Sequence, residues 1–295
     1  MGCVCDKADV EAGQRQFKIV KLIAKGGFSQ ILLVEDLRSR AKWAMKRIEC
    51  QSGVDIARVR REVEMHRRFG WYENVLPLEC FTEDEAVHGA RFSLIFPYCK
   101  RGSLQDELTA KRATKSYISQ ERVIRLFSQI VSAVSLLHLS EPPIAHRDLK
   151  PGNILMSDDD RPLLMDFGSC FDCPVLIKDS QQSRFQLDEA GELCSMPYRA
   201  PELFVCEIGS VIDQSIDIWA LGCILYALCF FRSPFDDIYE RGDSIALAVQ
   251  SAKVQFESDS PYDAAVFQAI RSMVVVEPQK RPDIMTVSEM TDALK

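Results

Sequence analysis

The chain has 295 residues, 47 % of them hydrophobic and 27 % charged, and a net charge of −7. That is enough apolar material for one large domain or two lobes, and the acidic balance argues against a general nucleic-acid binder. The longest uncharged apolar run, Ile218 to Phe231, falls short of the ~20 residues that span a bilayer, so it reads as a buried core helix.

Residues 1–16 read as a short polar leader without the basic-then-apolar pattern of a secretory signal, so the eleven cysteines are expected to be free thiols in a reducing compartment. Phe17–Val20 and Ile31–Val34 are strand candidates joined by the turn Lys25-Gly26-Gly27-Phe28. Residues 54–69 read as an arginine-rich helix. Leu76–Phe81 and Arg91–Phe96 give two more strand signals. From there the pattern turns helical. Ser119 is the expected N-cap of a helix from Gln120 to about Leu139, whose Ile124, Phe127, Ile130, Val131, Val134 and Leu137 recur at helical spacing. Ile154–Met156 and Leu163–Met165 flank an acidic turn, Ser157–Pro162, expected to be a solvated hairpin loop rather than a metal site. Asp217–Phe231 is apolar on nearly every face and belongs at the centre of the larger lobe. A β-rich first third and a helical remainder suggest two lobes with a cleft between them.

Three segments carry the chemistry: His146-Arg147-Asp148-Leu149-Lys150-Pro151-Gly152-Asn153, Asp166-Phe167-Gly168 and Arg199-Ala200-Pro201-Glu202. Each is weak alone. Together, in this order and at this spacing, they resemble the signature set of protein kinases. Phosphoryl transfer crowds negative charge into a small space, which the site must neutralise while it aligns the reacting oxygens. The resemblance implies that Asp148 accepts the substrate hydroxyl proton and Lys150 neutralises the moving phosphoryl group. Asn153 and Asp166 offer the oxygen ligands that Mg²⁺ favours. Lys46, ending Trp43-Ala44-Met45-Lys46, should bind ATP phosphates. Its partner is Glu62, on a helix face with Val59 and His66, with Glu64 as the alternative.

The phosphate-covering loop departs furthest from the family. Ala24-Lys25-Gly26-Gly27-Phe28-Ser29-Gln30-Ile31 stands where G-x-G-x-x-G-x-V is the pattern, so Ala24 and Ser29 replace two glycines. By family alignment, Ile31, Ala44 and Leu155 enclose the adenine, and the Pro97 carbonyl and Cys99 N–H pair with its edge. Residues 97–104 are the implied hinge, with an N-lobe over about 17–96 and a C-lobe over about 105–292. Arg147 is placed to neutralise a phosphate on the activation segment, where Ser180, Ser183 and Ser195 are candidate acceptors. Ser195 reads as ordering Asp148 and Lys150 instead. Asp217 should accept backbone N–H bonds from the catalytic loop, and Glu202 should pair with Arg281. Lys150 two residues after Asp148 is the serine/threonine pattern.

Gly2 in Met1-Gly2-Cys3-Val4-Cys5 is a myristoylation candidate, although Asp6 stands where the motif wants Ser or Thr. Cys3 and Cys5 are candidate S-acylation sites, and a second lipid is what makes anchoring stable. Cys170-Phe171-Asp172-Cys173 reads as free thiols ahead of zinc or redox function. Arg58, Arg60, Arg61, Arg67 and Arg68 read as a solvated helix face, with a phosphorylated segment or acidic lipid as the alternative.

Beyond the general motifs, Gly26-Gly27-Phe28-Ser29, Met65-His66-Arg67, Met165–Ser169, Tyr198–Phe204, Val211-Ile212-Asp213 and Gly242–Gln250 resemble the acylated serine/threonine kinase type of the Numb-associated kinase family. The resemblance covers about residues 17–292. It implies an α+β, two-lobed kinase fold, with a small β-rich N-lobe carrying one main helix and a larger helical C-lobe. It also implies a helical insert after Ala-Pro-Glu, near 203–213. The implied activity is constitutive, autophosphorylating transfer from Mg·ATP to serine or threonine hydroxyls of protein substrates (EC 2.7.11.1). The implied location is the cytoplasmic face of Golgi or other endomembranes, with some protein in the cytosol. A pseudokinase scaffold is the rival reading, supported by the eroded glycine loop. A small-molecule kinase is more distant. Oligomeric state is left open, and no nucleic-acid partner is expected.

Overall fold

A computed structural model describes residues 8–26, 29–86 and 88–295. The chain divides between Lys100 and Arg101 into two compact units.

The first unit is a six-stranded antiparallel sheet with one helix. Its strands are β1 (Val10–Ala12), β2 (Arg15–Lys25), β3 (Ser29–Asp36), β4 (Lys42–Cys50), β5 (Cys80–Ala86) and β6 (Gly89–Pro97). They lie in the order β1-β2-β3-β4-β6-β5. Gly13, at φ +61°, supplies the left-handed residue that turns β1 into β2. Strand pairing therefore begins inside the segment read as a polar leader. Val10 pairs with Phe17 and Ala12 with Arg15, and Ala12 is buried. Three residues with one charge are too short a run to show alternation. Ala12, Phe17, Leu32, Val34, Met45 and Ile95 form the core beneath this sheet.

Helix α1 (Gly53–Phe69) starts at a capping box in which Ser52 and Asp55 satisfy each other's backbone N–H. It buries Val59, Glu62, Val63, Met65, His66 and Phe69, a stripe at helical spacing. The strand expected from Leu76 begins only at Cys80. Pro77 has no N–H to give a ladder, and the apolar signal there reflects burial of Val75 and Leu76.

The second unit is mostly helical. It opens with α2 (Leu104–Thr114), capped by Ser103, and α3 (Gln120–His138), where the Ser119 hydroxyl accepts from the Arg122 N–H. Three short antiparallel pairs follow. They are β7 (Ile144–Ala145) with β10 (Phe171–Asp172), β8 (Ile154–Met156) with β9 (Pro162–Leu164), and β11 (Val175–Leu176) with β12 (Val211–Ile212). The remaining helices are α4 (Ser180–Leu193), α5 (Glu202–Val205), α6 (Ser215–Phe230), α7 (Asp236–Glu240), α8 (Ile245–Ser251), α9 (Ala264–Met273) and α10 (Ile284–Asp292). Helix α6 is buried on every face from Ile216 to Phe230. At Gly222 a β-carbon would sit 2.7 Å from Val274 Cγ2 and 2.9 Å from Met273 Cβ, so the glycine is what lets α9 approach. No helix among the described residues is long and apolar enough to cross a membrane.

The helical insert expected near 203–213 is not there. After four-residue α5 the chain turns and becomes β12. Gly209 at φ +88° and the β-branched Val205, Ile208, Val211 and Ile212 disfavour helix. The long helix of this region is α4, which precedes Ala200-Pro201-Glu202. Asp179 caps it by accepting from the Gln182 N–H at 2.8 Å.

Candidate active site

In the first unit, β4 carries Met45 into the core and turns Lys46 to the other face, as strand periodicity requires. Lys46 Nζ meets both oxygens of Glu62, at 2.8 and 3.0 Å. The side chains are 16 % and 3 % exposed, so an unpaired Glu62 would be a buried charge without compensation. Glu64, the alternative partner, points to solvent and pairs with Arg61 at 3.3 Å. On the neighbouring β3, Ile31 stands opposite both Lys46 and Ala24. Ala44 lies opposite Leu33 and Phe96. Ala24 and Lys25 are paired strand residues, and the Gly26 N–H donates to the Ser29 carbonyl at 2.8 Å to close the turn. Gly27 and Phe28 at its tip lie outside the described residues, as do Gly2, Cys3 and Cys5. Pro97 ends β6 opposite Trp43, and Cys99 is half-buried two residues on.

In the second unit, the loop after β7 is held from beneath by Asp217 on α6. Its carboxylate accepts from the backbone N–H of His146 at 2.7 Å and of Arg147 at 2.9 Å, and lies 3.0 Å from His138 Nε2 on α3. These bonds fix Arg147 at φ +73°, a conformation rare for a side chain of this size. The buried His146 ring faces the Met165 carbonyl at 3.2 Å, and the Ser169 hydroxyl donates to the His146 carbonyl at 2.7 Å. The loop is thereby tied to the Asp166-Phe167-Gly168 segment on both sides. Asp166 itself sits at φ +65°.

Asp148 is the convergence point. Its Oδ1 accepts from the Ser195 N–H at 2.9 Å. Its Oδ2 accepts from Asn153 Nδ2 at 2.9 Å and lies 2.8 Å from Lys150 Nζ. Lys150 also donates to Ser195 Oγ at 2.6 Å. Asn153 spends its amide nitrogen on Asp148, taking in the backbone carbonyl at 2.8 Å too, which turns its Oδ1 the opposite way. An amide oxygen from Asn153 and a carboxylate from Asp166 make a hard, oxygen-only donor set, so the residues present fit a divalent cation of the Mg²⁺ kind. Leu155, on β8, pairs with Leu163 and bridges to Ser103.

Two supports lie further out. Arg281 is fully buried and makes a two-pronged pair with Glu202, 2.7 Å on each side. Its other donors reach the carbonyls of Ser215, Val275 and Val276. Arg147 Nη1 meets Glu189 Oε2 on α4 at 3.0 Å. The sequence reading named neither Glu189 nor His138. Their partners lie 42 and 79 residues away, and no local pattern marks such pairs.

Other sequence features resolve as packing. Cys170 and Cys173 are buried thiols, and desolvation pushes the Cys173 thiol well up, away from the reactive thiolate. No group of three or more His, Cys, Asp or Glu suited to a metal occurs among the described residues. The arginines of α1 have neighbours of their own. Arg58 is 3.8 Å from Asp55, Arg60 is 2.5 Å from Glu83, and Arg67 lies over the Phe81 ring. The acidic turn joins β8 to β9 with Asp158 and Asp159 exposed, as a solvated loop should, but its last acid is held in place. Asp160 is gripped by Arg122, Arg101 and Arg125, and the Arg122 hydrogen bonds lead in holding its carboxyl far below the usual range.

A β-rich unit followed by a helical one, with these residues on these elements, is the architecture of a protein kinase domain. Residues 17–291 match the family described as protein kinase domain, and the chain belongs to it. Family membership implies use of ATP and a divalent metal ion. Among relatives, the chain is 36 % identical over 293 residues to serine/threonine-protein kinase 16 of Mus musculus, covering 99 % of this chain and 95 % of the relative. The Homo sapiens protein of that name is 35 % identical over 295 residues, with 99 % and 95 % covered. Serine/threonine-protein kinase ppk13 of Schizosaccharomyces pombe is 31 % identical over 302 residues, covering 90 % of this chain and 87 % of the relative.

Proposed function

We propose that this chain is an active serine/threonine protein kinase that transfers the γ-phosphate of Mg·ATP to hydroxyls of protein substrates (EC 2.7.11.1). The observation that carries the reading is the cage around Asp148, built from Asn153, Lys150 and Ser195. When bound, Mg·ATP supplies the phosphoryl group and the charge that neutralises it. Asp148 accepts the hydrogen bond of the incoming serine or threonine hydroxyl and receives its proton as transfer completes. Lys150, held by Ser195, faces the phosphoryl charge and favours a short aliphatic hydroxyl. Asn153 and Asp166 would hold the metal. Lys46, oriented by Glu62, holds phosphate oxygens. Ala24 to Ser29, Ile31 and Ala44 cover the nucleotide, while Pro97, Cys99 and Leu155 line its base. The rival reading, a scaffold without turnover, rests on the two missing glycines. Yet Ala24 is a paired strand residue opposite Ile31, just past a register shift after Leu22, and a side chain is accommodated there. Given Mg·ATP and a peptide mixture bearing Ser, Thr and Tyr, the protein should form phosphoserine and phosphothreonine. Phosphotyrosine as the main product would refute the residue class.

We further propose that the chain is the acylated, membrane-tethered type within the Numb-associated family, active without an upstream kinase. The support is the sequence resemblance together with Gly2, Cys3 and Cys5. Attachment through Gly2, Cys3 and Cys5 would place it on the cytoplasmic face of Golgi or other endomembranes. One myristoyl chain binds a bilayer only marginally, so the cysteines carry most of the hold. On cell fractionation, Gly2→Ala should move the protein from membranes to cytosol. Unchanged membrane content would contradict tethering by this route.

A further inference from the structure

We propose that Glu189 is a built-in counter-ion for the catalytic-loop arginine, so that the activation segment is ordered without a phosphate. The inference rests on the kinase reading above and assigns one of its regulatory features to a residue.

Arg147 stands beside Asp148 and is nearly sequestered, with 7 % of its side chain exposed. Its backbone is locked by Asp217, and its guanidinium carbon lies 4.4 Å from the Phe171 ring centroid. A buried guanidinium without an anion is costly, and Arg cannot shed its charge as Lys can. An anion must therefore come from somewhere. In kinases with this arginine a phosphate on the segment is one source. Here the anion is already in the chain. Glu189 Oε2 lies 3.0 Å from Arg147 Nη1, and its side chain is 14 % exposed.

The geometry of α4 explains why this contact reaches the catalytic residue. Gln186 and Ala190 are the buried positions of the helix, and Glu189, three residues after Gln186, lies on the same side. The helix ends at Cys194, whose N–H returns to the Ala190 carbonyl. The next residue, Ser195, gives its N–H to Asp148 and its hydroxyl to Lys150. The Glu189–Arg147 pair thus pins the last turns of α4 to the very loop whose carboxylate the helix end must meet. Loss of the pair frees the helix end and loosens Ser195 on Asp148. Glu189 is a positioning residue, acting through Arg147 and Ser195.

The hydroxyls left in the segment fit this reading. Ser169 and Ser195 are engaged with His146 and Lys150. Ser183 donates to the Cys206 carbonyl across to the residue after α5. Ser180 opens α4, nine residues before Glu189.

The test uses the full chain, treated with phosphatase, with its phosphate content mapped over residues 169–202. Initial transfer rates would be compared for wild type, S180A/S183A, E189Q, E189D, R147Q and R147Q/E189Q. Dephosphorylated wild type and S180A/S183A should transfer at the untreated rate. E189Q should lose about tenfold in kcat with KM for ATP unchanged, because only the alignment of Asp148 is loosened. E189D should recover part of the loss. The double variant should be no slower than R147Q, because the two residues act as one unit. A melting temperature for E189Q close to wild type would show that the loss is not one of folding; if E189Q melts early, the E189D rescue and the double-variant comparison decide. A wild-type rate in E189Q, or a wild type that loses its activity with its phosphate, would overturn the proposal. A wild type that transfers nothing in either state would instead overturn the kinase reading.

Discussion

Replacing Asp148 with Asn should abolish nearly all phosphate transfer while leaving the protein folded. The substitution is isosteric, and with its amide oxygen in the Oδ1 place it keeps the bond from the Ser195 N–H, while its amide nitrogen replaces the oxygen that faces Lys150. What it removes is the group that takes the hydroxyl proton. Positioned proton transfer is worth roughly 10²–10⁴-fold, and the asparagine amide would also face the donor nitrogen of Asn153. The expected kcat is therefore lower by at least about a hundredfold, with a melting curve near that of wild type. Comparable turnover in the two proteins would remove Asp148 from the chemistry. An unfolded variant would say only that the cage needs its charge, and Asp148→Glu would then serve as the folded comparison.

The largest effect on stability is expected at Arg281. Its side chain is fully buried and satisfies both Glu202 oxygens together with three carbonyls. Arg281→Ala leaves Glu202 as a carboxylate without a partner, and that half-pair is worse than no pair at all. Breaking a buried ion pair from one side costs about 3–5 kcal/mol. For a domain of this size each kcal/mol lowers Tm by roughly 2–4 °C, so a drop on the order of 10 °C is expected by calorimetry. The double change Arg281→Met with Glu202→Leu should recover much of the loss, since apolar residues fill such a site at little cost. A Tm within a degree of wild type for Arg281→Ala would mean that the pair carries no stability.

Much of this site could be read along the chain because its residues are close in sequence. His146 to Asn153 is one loop, and the contacts among Asp148, Lys150 and Asn153 follow from its local path. The Lys46–Glu62 pair spans sixteen residues but joins a strand to the next helix, so helix periodicity alone could favour Glu62 over Glu64. The misses are long-range. His138 and Glu189 are ordinary helix residues until α6 and the catalytic loop fold against them. Asp160 looked like part of a solvated run because the three arginines around it come from positions 101, 122 and 125. Other errors concern elements. Pro77 interrupts an apolar run that is buried without being a strand. The long helix lies before Ala200-Pro201-Glu202, whereas the family resemblance had placed it after them, near 203–213. Residues 180–193 follow the N-cap Asp179 and hold few breakers, whereas 203–213 hold β-branched residues and Gly209.

The central claim is tested most directly by incubating the purified chain with γ-labelled Mg·ATP and the Ser, Thr and Tyr peptide mixture, followed by phosphoamino-acid analysis and site mapping. Wild type should place label on serine and threonine of peptides and of its own chain, and Asp148→Asn should place almost none. No label above the Asp148→Asn level in wild type, with the protein folded and nucleotide bound, would contradict the account and leave a scaffold in its place.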